Sequence, residues 1–198
     1  LAGKQLVFWK ASDCDKSPLA YWNPEFMLAE LTPSRDKFIV TNALINGKPF
    51  RAQLSTATIT TVLTLDAARP LGFDKDAPGV EPSSLSSDNY VYRVDTLEIG
   101  DLMVKNAKLR VADMGFRDDR PKTGSHLPEQ DDRFPDILIG VDFLLANRVL
   151  VANSQGYLYF TYNGGTIFQT QAPTDEQELQ TPEDVPQNDG GGVPQPES

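Results

Sequence analysis

The sequence predicts an all-β fold with two short helices. Three stretches have the pattern of β-hairpins, in which two apolar-rich segments surround a short turn of Asn, Gly, Asp or Ser. Hydrophobic residues make up 39% of the 198 residues, so the chain can bury a core. Helix signals occur at only two short segments. An antiparallel barrel or folded sheet fits this combination of elements.

The three hairpins are predicted from their turns. The first turns at Asn46-Gly47, the strongest short-range signal for a type I′ turn. The second turns at Gly100-Asp101 and is continued by a strand over 107–112. The third turns at 153–156, with strands on both sides. These segments account for most of the predicted strands.

Two short helices interrupt the strands. One is predicted over Thr64–Arg69, and Pro70 and Gly72 end it. The other is predicted near Asp142–Asn147, with Asp142 as its N-cap, because a carboxylate there can accept a free backbone N–H group.

Composition divides the chain into three parts. Residues 1–35 are predicted to be an N-terminal extension that packs on the domain, with a short strand over 6–9. Residues 36–168 form the domain. Residues 169–198 hold five Pro and seven acidic residues but no Lys or Arg, which predicts a disordered acidic tail or linker. The start at Leu1 without Met suggests a processed form or a fragment of a longer protein.

Charge and residue counts exclude several function classes. The net charge is -10 and the pI is near 4.5, which argues against binding to nucleic acid or to an anionic membrane surface. One cysteine, Cys14, and one histidine, His126, exclude a disulfide framework and multi-Cys or multi-His metal sites. No apolar run reaches about 20 residues, so no membrane-spanning helix is predicted. We therefore predict no metal and no cofactor.

Two separated segments carry the functional argument. Residues 52–63 read as a strand that leads into a turn of small residues, Ser55-Thr56-Ala57-Thr58. Residues 136–145 read as an apolar strand, then Gly140, then the second helix. The two segments have the same strand-and-turn layout about 80 residues apart.

This layout resembles the retropepsin-like aspartic proteases, the family of the retroviral proteases and their bacterial relatives. The resemblance covers about 38–168 and implies the acid-protease barrel of that family. It places Ser55-Thr56-Ala57 at the family's D-T-G position and 137–140 at its second, apolar-Gly motif. The sequence 161–165, TYNGG, looks like the end of the module in bacterial members.

The resemblance also implies site residues and partners. Ser55, Thr56 and Ala57 are the expected catalytic positions, and Thr56 is expected to brace the two-fold contact. The substrate-binding positions are expected at Ile139, Gly140, Ser86 and Asn89, the last two within the flap region 79–95. A module of this kind forms half a cleft, so a homodimer or pairing with a tandem module is expected, with a peptide or protein as the ligand. A periplasmic or secreted location is expected, and a cytoplasmic one stays open.

The D-T-G position departs from the family pattern. Aspartic proteolysis needs two carboxylates that share one proton, and Ser55 is not a carboxylate. Ala57 replaces a glycine of the tight loop. We therefore predict a degenerate domain that binds peptide without cleaving it. Two alternatives stay open: an endopeptidase whose aspartate comes from a tandem module or was removed by engineering, and a structural dimerisation module.

Rival catalytic and metal sites are weaker. Ser125 and His126 are adjacent, so they cannot easily form a nucleophile–base bond. Asp131, Asp132 and Asp136 do not have the spacing of a calcium loop. The polar stretch 117–135, which contains Asp131 and Asp132 and ends just before Asp136, is predicted to be an exposed loop.

Overall fold

A computed structural model describes residues 7–8, 17–34, 36–84, 88–116 and 134–168. Within these ranges the chain forms ten strands and two short helices, so the predicted all-β class is confirmed. The strands are β1 (Met27–Thr32), β2 (Val40–Ile45), β3 (Lys48–Leu54), β4 (Val62–Thr64), β5 (Glu81–Pro82), β6 (Asn89–Ile99), β7 (Leu102–Ala112), β8 (Ile137–Ile139), β9 (Asn147–Ala152) and β10 (Tyr157–Tyr162). The helices are α1 (Leu65–Ala68) and α2 (Val141–Ala146).

Six of these strands close into a barrel. The order β6-β7-β4-β8-β3-β2 returns to β6 through the pairing of β2 with β6. Strands β1, β10 and β9 extend the sheet from β2, and β5 adds a short edge to β6. The barrel interior holds the main core, in which the rings of Phe143 and Phe160 lie 5.5 Å apart.

All three predicted hairpins are present. Strands β2 and β3 pair around Asn46 and Gly47, whose φ angles of 50° and 74° are those a type I′ turn requires. Strands β6 and β7 form the longest pairing, and β9 pairs with β10 along six residues. Sequence reasoning located these turns because their chemistry is local.

Strand β8 lies between β3 and β4 and sets the geometry of the site. It runs parallel to β3 and antiparallel to β4, and β4 is in turn parallel to β7. Since β3 and β4 are consecutive in the chain, residues 55–61 that join them must cross the end of β8. The two segments singled out from the sequence therefore meet in space.

Both predicted helices are present, but the second begins at a different residue from the one expected. Helix α1 begins after Thr64, whose Oγ1 accepts the N–H of Ala67 at 3.3 Å, and a 3₁₀ turn (Arg69–Leu71) follows it. Helix α2 begins after Gly140, so the prediction of Asp142 as N-cap is wrong. Asp142 lies one residue inside the helix because its buried carboxylate binds the loop that precedes β4.

The N-terminal region contacts the β1–β10–β9 part of the sheet. Strand β1, which the sequence did not predict, pairs with both β10 and β2. Trp22 donates its Nε1–H to Thr161 Oγ1 at 3.0 Å, and the guanidinium of Arg148 lies 4.6 Å from the Trp22 ring. The predicted strand over 6–9 is not formed at residues 7–8, which are exposed. The assignment of 1–35 as a separate extension stays a prediction.

Several predictions fall outside the described residues. These are the acidic tail over 169–198, most of the polar loop over 117–135, and the residues Cys14, Ser86, Ser125, His126, Asp131 and Asp132. In the part that is described, no helix has the length and apolar character needed to cross a membrane. The cellular compartment stays a prediction.

Candidate functional site

The loop that joins β3 to β4 carries the three predicted catalytic positions. Its start is fixed by backbone hydrogen bonds: Leu54 N–H donates to Ile39 at 2.9 Å, and Ser55 N–H donates to Ile139 at 2.9 Å. The second bond extends the parallel β3–β8 pairing by one residue. Ser55 therefore lies directly beside the end of β8.

The chain after β8 packs against the same loop. Val141 N–H donates to the carbonyl of Thr58 at 3.0 Å, and Asp142 N–H donates to that of Ile59 at 2.9 Å. A Cβ on Gly140 would lie 2.5 Å from the carbonyl carbon of Thr60, closer than real Cβ contacts. Glycine is needed there because the loop backbone occupies the space of a side chain, since the φ of Gly140 is an ordinary -88°.

A buried carboxylate holds the far end of the loop. Asp142 is 1% exposed, and its two oxygens accept the N–H and the hydroxyl of Thr61, each at 2.8 Å. Oδ1 also accepts the N–H of Phe143 at 2.8 Å, and Thr61 Oγ1 accepts the N–H of Gly140 at 3.0 Å. Sequence reasoning missed this network, although a Thr ahead of one strand and an Asp just after the Gly motif were visible signals.

The hydroxyl of Ser55 makes a local contact. Its Oγ accepts the N–H of Ala57 at 3.2 Å, which is a short side-chain turn of the kind Ser commonly forms. Thr56 and Ala57 are exposed at the tip of the loop. Ala57 does not have a left-handed φ, so the missing glycine causes no backbone strain here.

The outer face of the barrel beside this loop carries a small buried apolar cluster. Leu63, Val111 and Ile137 belong to the main core, so their strand neighbours point outward. In the register of the sheet, Val62 lies between Arg110 on β7 and Leu138 on β8. Three residues, Val62, Ala112 and Leu138, form an apolar cluster, against which Met114 and Phe116 pack.

The predicted flap is a short hairpin in its described part. Glu81 pairs with Val91 and Pro82 with Tyr90, so β5 and β6 form its base. Asn89 begins β6 and is 8% exposed. It pairs with Ala112, a member of the outer apolar cluster. Its substrate-binding role stays a prediction, as does that of Ser86, which lies outside the described residues.

Ile139 and Gly140 have packing roles. The Ile139 side chain is fully buried in the main core. Gly140 faces the backbone of Thr60 and Thr61. Leu138, between Ile137 and Ile139, is the residue of β8 whose side chain belongs to the outer apolar cluster. Contact of Ile139 or Gly140 with a peptide stays a prediction.

Arg110 is a cation on the outer face of β7, beside the apolar cluster, and was not identified from the sequence. Its Nη2 donates to Thr58 Oγ1 at 3.3 Å, and Thr58 Oγ1 donates to the carbonyl of Thr60 at 2.7 Å. Burial lowers the pKa of Arg110 below its ordinary value, and the negative charge of Asp142 opposes this effect.

The chemistry of the site follows from its charges. Among the described residues, Asp142 is the one carboxylate that hydrogen-bonds the loop, and its oxygens are occupied by three donors. The same part of the chain contains no cluster of His, Cys, Asp and Glu that could hold a metal ion. General acid–base catalysis of this kind needs a pair of acids, and residue 55 is a partly exposed serine.

Comparison with known proteins identifies relatives of this fold. A family model described as aspartyl protease matches residues 41–143, just over half of the chain. A retropepsin-like aspartic protease from Rickettsia conorii is 18% identical, with a TM-score of 0.45, covering 71% of this chain and 95% of that one. EIAV protease complexed with the inhibitor HBY-793 is 18% identical, with a TM-score of 0.35, covering 58% and 92%. The retroviral protease-like domain of Ddi1 from Leishmania major is 12% identical, with a TM-score of 0.39, covering 64% and 88%. No curated protein sequence matches the chain.

Proposed function

The chain belongs to the aspartyl protease family, and on this basis we propose that it is a member without its own catalytic aspartate, whose cleft binds an extended peptide that it does not cleave. The observation that carries this proposal is Ser55. It directly follows the parallel β3–β8 pairing, the sequence resemblance gives it the place of the family's aspartate, and its hydroxyl accepts a bond from within its own loop.

Loss of the acid does not remove the means of binding. An extended peptide can be held by backbone hydrogen bonds, with alternate side chains in pockets, and neither contact needs a carboxylate. The flap base formed by β5 and β6 and the outer face of β7, where Arg110 is partly exposed, supply the two sides of the proposed cleft. The retained geometry supports binding, and the missing acid argues against hydrolysis.

The test is cleavage of a denatured protein substrate by the full chain between pH 3 and pH 8, with and without pepstatin. We expect no pepstatin-sensitive cleavage at any pH, because a serine hydroxyl without an activating base cannot replace a carboxylate. Active retroviral-type protease at the same concentration serves as the positive control. Pepstatin-sensitive cleavage would contradict the proposal and favour an endopeptidase whose carboxylate comes from elsewhere.

We also propose that two copies of the chain pair through the surface beside the loop. Ile59 is 71% exposed within the loop, and Leu145 is 51% exposed on α2, the helix that contacts the loop. Large apolar side chains exposed next to a candidate site favour a protein interface. Pairing would place the exposed Thr56 and Ala57 of one loop against those of the other.

We expect Ile59→Asp to weaken this dimer about tenfold or more, because a charge would be buried at the contact. Light scattering after size-exclusion chromatography over a range of concentrations measures the effect. Met103→Asp is the matched control, since Met103 is 54% exposed at the start of β7. A wild-type chain that stays monomeric at high concentration would contradict the pairing and favour a tandem module as the second half.

A further inference from the structure

The outer face of β7 carries a cation, Arg110, between the flap strand and the loop that follows β3. Arg110 lies in register with Val91 of the flap strand on one side and with Val62 of the apolar cluster on the other. Leu138 continues the same row on β8, and Gln53 continues it on β3. Arg110 is the one positive charge of this row, which ends at the flap edge with Glu81, in register with Val91.

The hydrogen-bonding capacity of Arg110 is mostly unused. Among the residues that the structure describes, its one side-chain partner is Thr58, bonded to Nη2, and no carboxylate lies within ion-pair distance. Its Nε is buried without a partner, whereas Nη1, also without a partner, is not buried. The guanidinium edge formed by Nη1 and Nη2 can therefore donate hydrogen bonds to a planar anion such as a carboxylate.

Asp142 acts on Arg110 through its negative charge but does not form an ion pair with it. Its oxygens accept hydrogen bonds from Thr61 and Phe143, and its interaction with Arg110 is a coulombic one that raises the pKa of Arg110. A buried or partly buried cation gains most from an ion partner that brings its own hydrogen-bond acceptors. A carboxylate from outside the chain meets that need.

We propose that Arg110 is a specificity-determining residue, which selects peptides that carry an Asp or Glu side chain at the position facing β7. The proposal rests on the proposed peptide-binding function of the cleft. The carboxylate of the bound peptide pairs with Nη1 and Nη2 of Arg110, while a neighbouring apolar side chain of the peptide lies on the partly exposed Met114. The Asp, Glu and apolar side chains of an ordinary partner protein supply these groups without any covalent modification.

The test begins with selection of random dodecapeptides displayed on phage. The immobilised full chain, its Arg110→Met variant and its Lys105→Met variant are used in parallel. Met keeps the length of the Arg stem without its charge, and Lys105 is an exposed cation of the same strand, so its loss is the matched control. We expect peptides selected on wild type and Lys105→Met to share an acidic residue at one position, and those selected on Arg110→Met to lack it.

One selected peptide is then synthesised with Glu and with Gln at that position. Anisotropy of a fluorescein label gives Kd for each protein. We expect Glu→Gln to weaken binding to wild type by about tenfold to a hundredfold, the range for a charge-assisted hydrogen bond, and to leave Arg110→Met nearly unaffected. Arg110→Lys is expected to keep part of the preference, since it retains the charge and loses the fork.

Two results would overturn the inference, and they are distinguishable. Peptides that bind wild type with no acidic preference, or with the same Glu-to-Gln effect on Arg110→Met, would remove the role of Arg110 and leave peptide binding intact. Failure to select any peptide on wild type would overturn the proposed function itself, and the role of Arg110 with it.

Discussion

Replacement of Asp142 by Ala is expected to lower the free energy of unfolding by about 3 kcal/mol. Asp142 is 1% exposed and accepts three hydrogen bonds, two from Thr61 and one from Phe143. Removal of the carboxylate leaves these donors buried without acceptors, which costs about 1–3 kcal/mol for each unsatisfied group before relaxation. Urea unfolding followed by circular dichroism measures the change.

Two variants make this result specific. Asp142→Asn keeps the shape and one acceptor oxygen, so we expect a loss of about 1 kcal/mol. Asp95→Ala removes an exposed carboxylate of β6 and is expected to change stability by less than about 0.5 kcal/mol. If Asp142→Ala unfolds at the same urea concentration as Asp95→Ala, the network is not what holds the loop.

This network also explains why an exchange of aspartate for serine at residue 55 would not disturb the loop. The loop is held at its start by the bond from Ser55 N–H to Ile139, which any residue makes, and at its end by Asp142. The bonds from the N–H groups of residues 141 and 142 to the carbonyls of Thr58 and Ile59 fix its middle. None of these contacts uses the side chain of residue 55. The aspartate could therefore change to serine while the fold of the site persisted.

The fold was predictable from the sequence where the signals are local. The turn at Asn46-Gly47 requires positive φ angles that Asn and Gly adopt easily, and the hairpin formed as expected. Strand β1 was missed because its six residues have no turn signal and are stabilised by distant strands, β10 and β2. The parallel insertion of β8 between β3 and β4 likewise depends on pairings between residues about 80 positions apart.

The site divides in the same way. Ser55 and Gly140 were located by their place in short motifs, and both lie at the junction of loop and strand. The orientation of Arg110 could not be read from the sequence, because it depends on which side of β7 faces the core. Asp142 was assigned to the wrong role, since its position at the start of a helix fits an N-cap as well as a buried ligand of Thr61.

The double variant Ser55→Asp/Ala57→Gly is expected to gain pepstatin-sensitive cleavage of a denatured protein in acid, at least a hundredfold above the wild-type chain. General acid–base groups contribute roughly 10²–10⁴-fold, and two paired loops would bring two new carboxylates together to share one proton. The backbone around residue 55 already has its bond to Ile139, so the new side chain needs no rearrangement of the strand. The assay is run at a concentration where the chain is dimeric.

Ser55→Asn/Ala57→Gly is the matched control, because asparagine has the shape of aspartate and cannot share a proton. Cleavage by the aspartate variant alone would show that the cleft and the pairing of loops survive in this chain and that catalysis was lost at residue 55. If both variants fold, form dimers and stay silent, the loops do not meet in a productive geometry. The structural dimerisation module would then be the better account, because pairing would persist without a cleft that can hold a substrate against two acids.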